Sequence, residues 1–445
     1  MGPRLVRALV RALLAVFYRR LDVAGLEHVP ARGALVVAAN HQNGLVDPML
    51  LIAALPRSLR PLAKSGLFRH PIVAPFLHLA RALPVHRRQD AGSDMAGNTR
   101  TFRAVGRALD RGEAILIFPE GVSQPEPALM ALRTGAARLL LEAENAPVVT
   151  LLPVGLVVTE PGRFRAGRAL VLVGPPVATA DALALRARDP AAAVRALTGR
   201  LAAALRRQIV EAEDRETLRL MRVLERVWRA ESGTRGDAAS AAWLQSTARA
   251  YRWLRLTAPL EVEDFRREVE EYATELDRLG VTPETLGRAY APSVVLGYVA
   301  REVLPVLLGL PLALLGIVLQ ALPYQLVRLG VALARPEVDV EATYKLAGGV
   351  VVFPLAWAVE AWLAARAGGP WLAALLTLAL VPTGFFALAW QARVHDVSRE
   401  ATAFWHFLAR RGLRERLLSR QRALAVELDR LAARVPAPVL AGERR

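Results

Sequence analysis

The run ANHQNGLVDP, Ala39 to Pro48, holds the sharpest concentration of proton-transfer groups in the chain. His41 and Asp47 are separated by the five residues Gln42 to Val46. A carboxylate beside an imidazole fixes its tautomer and stabilises the imidazolium formed when the ring takes a proton. Such a pair suits a general base acting on an alcohol, with no serine or cysteine to be acylated. Each residue alone has a plainer reading. His41 is then a turn histidine, and Asp47 before Pro48 a helix N-cap with proline at the first helical position.

Two further runs offer groups that meet a substrate. FPEGVS, Phe118 to Ser123, ends the apolar run AILIF. Phe118, Pro119, Glu120 and Gly121 make a turn at a strand's carboxyl end, where α/β sheets bind ligands, and Ser123 adds a hydroxyl. Arg133, in the next helical stretch, offers a cation to a phosphate. In LPVHRR, Leu83 to Arg88, a strand delivers Arg87 or Arg88 to a loop as a phosphate clamp. Taken singly, FPEG is only a turn and Arg87 only a surface arginine.

The elements that must position these groups alternate between strand and helix from about 21 to 178. Short apolar runs predict strands at Ala34–Ala39, Leu83–Val85, Ala114–Phe118, Val148–Gly155 and Ala169–Val173. Helices are predicted near Pro48–Leu55, Ile72–Arg81, Arg100–Asp110 and Ala128–Glu144. Fully apolar short strands with helices between them indicate an α/β fold, a mixed sheet flanked by helices on both faces. Before this unit, residues 1–20 read as a basic amphipathic helix lying on a membrane. Leu5, Val6, Leu9, Leu13, Val16 and Phe17 form its apolar face, opposite Arg4, Arg7 and Arg11. The plainer alternative is an ordinary packing helix at a domain edge.

Residues 179–290 are charged and helical, with the stripe Phe265, Val269, Tyr272, Leu276 and Leu279. This segment reads as a packing domain. Residues 291–392 turn strongly apolar. Val303–Leu322, Leu346–Leu363 and Trp371–Trp390 each approach the roughly 20 residues that cross a bilayer. Arg366 to Pro370 make a tight connection, so the last two are expected to form a transmembrane hairpin. Residues 393–445 form a basic helical tail, expected on the cytoplasmic side. Three spans would put that tail and the α/β unit on opposite faces. Val303–Leu322, with Pro305 and Pro311 and followed by Pro323, is therefore expected to be re-entrant or interfacial.

The motifs and their order resemble the glycerolipid acyltransferase family, which includes glycerol 3-phosphate and lysophosphatidic acid acyltransferases. The matching pieces are His41 with Asp47, Arg87 in ALPVHR, Phe118–Gly121 and Leu152–Pro153–Val154. GLEHVP at Gly25–Pro30 and FRAGRALVLVGPPV at Phe164–Val177 also look like that family. The resemblance covers about residues 20 to 178. It implies that His41 is the general base, that Asp47 orients it, and that Arg87, Glu120 and Gly121 shape the acceptor site, with Ser123 and Arg133 beside them. It further implies transfer of a fatty acyl group from acyl-CoA or acyl-carrier protein to glycerol 3-phosphate or a lysophospholipid, in phospholipid biosynthesis. Acyl-CoA or the carrier protein is then a co-substrate, with no cofactor and no metal. The usual family spacing has four residues between His and Asp. The five found here resemble a subset with a longer loop, which also has a helical segment and apolar spans after the catalytic unit. Gly44 is the residue best able to absorb the extra length.

Composition agrees with a membrane enzyme. Among 445 residues there are 58 Lys+Arg and 41 Asp+Glu, a formal net charge of +17, with 53% hydrophobic residues and no cysteine. The missing cysteines exclude disulfides, thiolate metal sites and a cysteine nucleophile. The positive charge fits anionic membrane lipids on the cytoplasmic face of the cell membrane. It does not indicate nucleic acid, since no aromatic-interleaved basic patch is present. Part of it reflects arginine bias, because Lys64 and Lys345 are the only lysines. The rival to an enzyme is a non-catalytic lipid-binding adaptor with the same fold.

Overall fold

The computed structural model describes residues 3–18, 20–71, 73–86, 95–142, 149–158, 168–234, 236–287, 297–410 and 412–441. The chain divides into two compact units. One comprises Met1–Asp214 with Arg335–Ala347, the other Arg215–Ala334 with Gly348–Arg445.

The first unit is an α/β layer. Its strands are β1 (Arg20–Ala24), β2 (Leu35–Ala39), β3 (Leu59–Lys64), β4 (Leu83–Val85), β5 (Ala114–Ile117), β6 (Thr150–Val158) and β7 (Arg168–Val173). They form one sheet in the order β1-β7-β6-β2-β5-β3-β4. β6 and β7 are antiparallel and the other pairs are parallel, so the sheet is mixed. Side chains alternate across it with period two. Leu35, Val37 and Ala39 enter one core, and Ala34, Val36 and Ala38 enter the other. The helices of this unit are α1 (Pro3–Phe17), α2 (Val46–Ala54), α3 (Val73–Leu79), α4 (Met95–Asp110), α5 (Gly135–Leu141), α6 (Ala180–Arg186) and α7 (Pro190–Arg206). α1 and α2 cover the first core. α4, α5 and α7 cover the second, through residues such as Val105, Leu140 and Leu201. The unit thus continues past 178, because the apolar stripe of α7 is spent on the sheet.

Two strands, β1 and β3, were not expected. β1 (RLDVA) lies at a sheet edge, where polar residues are tolerated. β3 (LRPLAK) contains Pro61, at the point where its partner changes from β5 to β4. The expected helix over 128–144 is reduced to Gly135–Leu141 among the described residues. Residues 128–134 instead follow the Phe118–Gly121 turn, with the N–H of Arg133 donating to the carbonyl of Pro119 at 2.7 Å.

The buried face of α1 is rotated from the expected one. Val6, Val10, Leu14 and Phe17 are buried, whereas Leu5 and Leu9 are 49% and 45% exposed. Arg7 and Arg11 do not all point outward. Arg7 donates to the carbonyls of Ile52 and Arg57, and Arg11 to that of Ala53. The Ile52 and Ala53 carbonyls lie in the last turn of α2, which carries unpaired acceptors and partial negative charge, and that of Arg57 lies just beyond it.

In the second unit, helices Arg215–Ser232, Asp237–Thr257, Pro259–Leu279 and Leu413–Ala433 share one core. The stripe read from sequence is buried in it: Phe265, Val269, Tyr272, Leu276 and Leu279. Tyr272 donates its hydroxyl to Gln421 at 3.1 Å, and Gln421 donates to Glu231 at 2.6 Å. The C-terminal tail is therefore a packed helix of this bundle. Its arginines meet carboxylates: Arg416 and Arg420 pair with Glu275, and Arg430 and Arg434 with Glu261. Part of the tail's charge is thus paired within the bundle.

Two helices in the apolar region, Val299–Ala334 and Val338–Ala409, are long and apolar enough to cross a membrane. The expected break at Pro305 and Pro311 does not occur. The α-helix Leu304–Ala334 continues through Pro311 and Pro323, about 46 Å at 1.5 Å per residue. Arg393 donates to the carbonyl of Arg301, and the indole of Trp390 to that of Val306. The helix is thereby anchored near its start. The helix Val338–Ala409 breaks at Gly368 and Gly369, where the tight connection was predicted. Large apolar side chains stand exposed on both, among them Leu308 at 73% and Leu378 at 77%.

Candidate active site

The site forms at the carboxyl ends of β2 and β5. These strands are parallel neighbours, with Ala38 opposite Ile117. The pairing brings the chain after Ala39 beside the chain after Ile117, although His41 and Phe118 are far apart in sequence. Asn40 locks the end of β2 to β6. Its amide donates to the carbonyl of Leu156 at 3.0 Å and accepts the N–H of Leu156 at 2.6 Å.

His41 and Asp47 meet. His41 Nδ1 lies 2.9 Å from Asp47 Oδ2. The same oxygen accepts the N–H of Gln42 at 2.6 Å and that of Asn43 at 2.7 Å. Asp47 is fully buried. It is not the expected N-cap, since α2 starts at Val46 and the Asp47 carboxylate turns back onto the loop. Since a carboxylate only accepts, Nδ1 is the donor, and in the neutral ring the lone pair is then on Nε2. The ring stacks on Phe118, with centroids 4.1 Å apart and planes at 19°. Asn43 donates to the Tyr18 hydroxyl at 3.1 Å. Burial and the nearby Asp47 charge push the Tyr18 hydroxyl well above the ordinary tyrosine range, so it stays neutral.

Glu120 is a brace between loops. It accepts the N–H of His41 at 2.7 Å on one oxygen and that of Met130 at 3.0 Å on the other. Burial pushes its carboxyl above the usual range, and the two N–H donors oppose that shift. Gln124 donates its N–H to the carbonyl of His41 at 3.0 Å. Gly121 sits at φ +80°, in the left-handed region that favours glycine, and a Cβ there would meet Arg133 Cγ at 3.2 Å. His41, Asp47, Phe118, Pro119, Glu120, Gly121 and Arg133 thus come together in two adjoining loops. Arg133 is exposed. Arg87 lies outside the described residues.

The comparisons with known proteins converge on this region. Residues 20–157 match the family model described as Acyltransferase. That match places an acyltransferase-type domain at residues 20–157. It is 28% identical over 177 residues to a 1-acyl-sn-glycerol-3-phosphate acyltransferase of Bacillus subtilis, covering 39% of this chain and 82% of that one. It is 27% identical over 180 residues to 1-acyl-sn-glycerol-3-phosphate acyltransferase alpha of Ovis aries, covering 40% of this chain and 60% of that one. An uncharacterised acyltransferase of Schizosaccharomyces pombe is 25% identical over 308 residues, covering 49% of this chain and 45% of that one. The chain thus spans less than two thirds of the sheep relative and under half of the yeast one.

Within the acyltransferase domain, sequence reasoning missed several contacts. Ser123 does not stand open as a substrate donor. Its hydroxyl donates to the carboxylate of Asp339. Leu45 donates its N–H to Thr343 Oγ1 at 3.0 Å. Both partners come from the 335–347 segment of the same unit. The one signal was the polar run RPEVDVEATYK, 335–345, standing between two apolar stretches.

Proposed function

We propose that this protein is a membrane-bound O-acyltransferase that moves a fatty acyl group from a thioester to the hydroxyl of a glycerophosphate or lysophospholipid. The observation that carries this reading is the His41–Asp47 contact at 2.9 Å, which leaves His41 Nε2 with its lone pair. The acceptor hydroxyl gives its proton to Nε2 as its oxygen attacks the thioester carbonyl. The carbon–oxygen bond forms, the carbon–sulfur bond breaks, and the thiolate leaves and takes up the proton. No acyl-enzyme is formed, and no metal or cofactor takes part. Asp47 holds the tautomer and stabilises the imidazolium.

The acceptor is glycerol 3-phosphate or a lysophospholipid such as lysophosphatidate. Arg133, beside the Phe118–Gly121 turn, and Arg87 take its phosphate. The names of the bacterial and sheep relatives support a phosphorylated glycerol acceptor and a place in phospholipid biosynthesis. The donor is acyl-CoA or acyl-carrier protein. The two long apolar helices support an integral membrane protein, and we place the catalytic unit on the cytoplasmic face of the cell membrane. The test is an acceptor panel. Purified protein in detergent receives labelled acyl-CoA or acyl-carrier protein with glycerol 3-phosphate, lysophosphatidate or other lysolipids, and products are separated by thin-layer chromatography. Acylation of a phosphorylated glycerol acceptor is expected. No transfer to any hydroxyl acceptor would contradict the reading.

A further inference from the structure

We propose that residues 338–346 act as a positioning strap for the active site, with Asp339 and Thr343 as its two anchors. The inference rests on the acyl-transfer reading, and deepens it by naming what holds the two loops in register. The strap belongs to the α/β unit although it begins at residue 338, far beyond the matched residues 20–157 in sequence. Asp339 is buried at 7% exposure and receives the Ser123 hydroxyl from the loop after Glu120. Thr343 accepts the N–H of Leu45 from the His41–Asp47 loop. Ala342, between the anchors, is fully buried in the first core. The first turns of the helix that starts at Val338 therefore grip both loops that meet at His41.

The strap also explains the long His–Asp loop. The added length falls where the strap touches. Gly44 has φ +31°, and a Cβ there would meet Thr343 Oγ1 at 2.9 Å and the Asp339 carbonyl oxygen at 3.2 Å. A longer loop without this contact would leave the Leu45 N–H without its acceptor and Gly44 without its packing. A buried donor left unmade is costly, so loop and strap specify each other. Asp339 and Thr343 act through the loops and touch no reacting atom.

The test uses the full chain in detergent, with Thr343→Val, Thr343→Ser and Asp339→Leu, the last removing the acceptor of the Ser123 hydroxyl. Thr343→Val keeps the volume and removes the acceptor, and Thr343→Ser restores it. Hydrogen–deuterium exchange is followed in peptides spanning 42–47 and 121–126, alongside kcat and KM for the acyl donor. Thr343→Val is expected to speed exchange at 42–47 at least about fivefold and lower kcat about tenfold, with KM within about twofold. Asp339→Leu is expected to do the same at 121–126, and Thr343→Ser to behave as wild type. Wild-type exchange in Thr343→Val and Asp339→Leu would overturn the strap. So would equal losses in Thr343→Val and Thr343→Ser. The exchange readout needs no catalysis, so a failure of the acyl-transfer reading is separable from a failure of the strap.

Discussion

Asp47 holds His41 by a single oxygen, Oδ2, which it shares with the N–H groups of Gln42 and Asn43. One buried carboxylate therefore fixes both the loop backbone and the imidazole ring. In Asp47→Asn the amide oxygen can take the Oδ2 position and keep all three donors, but the negative charge that stabilises the imidazolium is lost. The expected result is a fall in kcat of about 10³-fold. The melting temperature should change little. Steady-state kinetics and a thermal melt on the same preparation check this.

Glu120 gives a pH signature. Its folded carboxyl is raised above the ordinary value of 4.5 by burial. A raised acid binds more protons folded than unfolded in the window just above 4.5. Its stabilising contribution is present below that window and is lost as pH rises through it. Wild-type stability minus that of Glu120→Gln should therefore fall as pH rises through this window, then level off. Melting temperatures of both proteins from acid to neutral pH measure it. A difference that rises with pH would contradict the burial argument.

Gly44→Ala introduces a Cβ against the strap and places an L side chain at φ +31°. A cost of about 1–3 kcal/mol is expected. Chemical denaturation measures the loss, and kcat should fall with it because the loop carries His41.

Arg7 and Arg11 are expected to stabilise the α/β unit by bonding the Ile52 and Ala53 carbonyls at the end of α2. Replacing both with methionine should cost about 2 kcal/mol, since charge-assisted bonds at a partly exposed site are discounted for solvent. Denaturation and vesicle binding are measured together. Unchanged stability with weakened vesicle binding would return α1 to a purely membrane-surface role.

The sequence made the chemistry legible where residues are close or strands are apolar. β2 and β5 are continuous apolar runs, so the loops after them were visible, and the parallel register then brings His41 beside Phe118 and Glu120. β1 and β3 were hidden by their polar residues and Pro61, which an edge or a change of partner tolerates. Arg133 was assigned to a helix because Ala128–Glu144 is apolar and helix-prone. Its backbone N–H instead serves the Pro119 carbonyl, a long-range contact that no local pattern reports. The same limit hid Asp339 and Thr343. In the basic tail the pairing of Arg416 and Arg420 was not legible, because their glutamate partners lie 141 to 149 residues earlier. Proline was over-weighted at 305 and 311, where the helix continues.

The central claim is that His41 takes the proton from the acceptor hydroxyl. It is tested most directly by His41→Ala, assayed for acyl transfer from labelled acyl-CoA or acyl-carrier protein in detergent beside wild type, on protein shown by its melt to be folded. The account predicts a fall in kcat of about 10²- to 10⁴-fold, with the fold intact. Transfer at the wild-type rate by folded His41→Ala protein would contradict it.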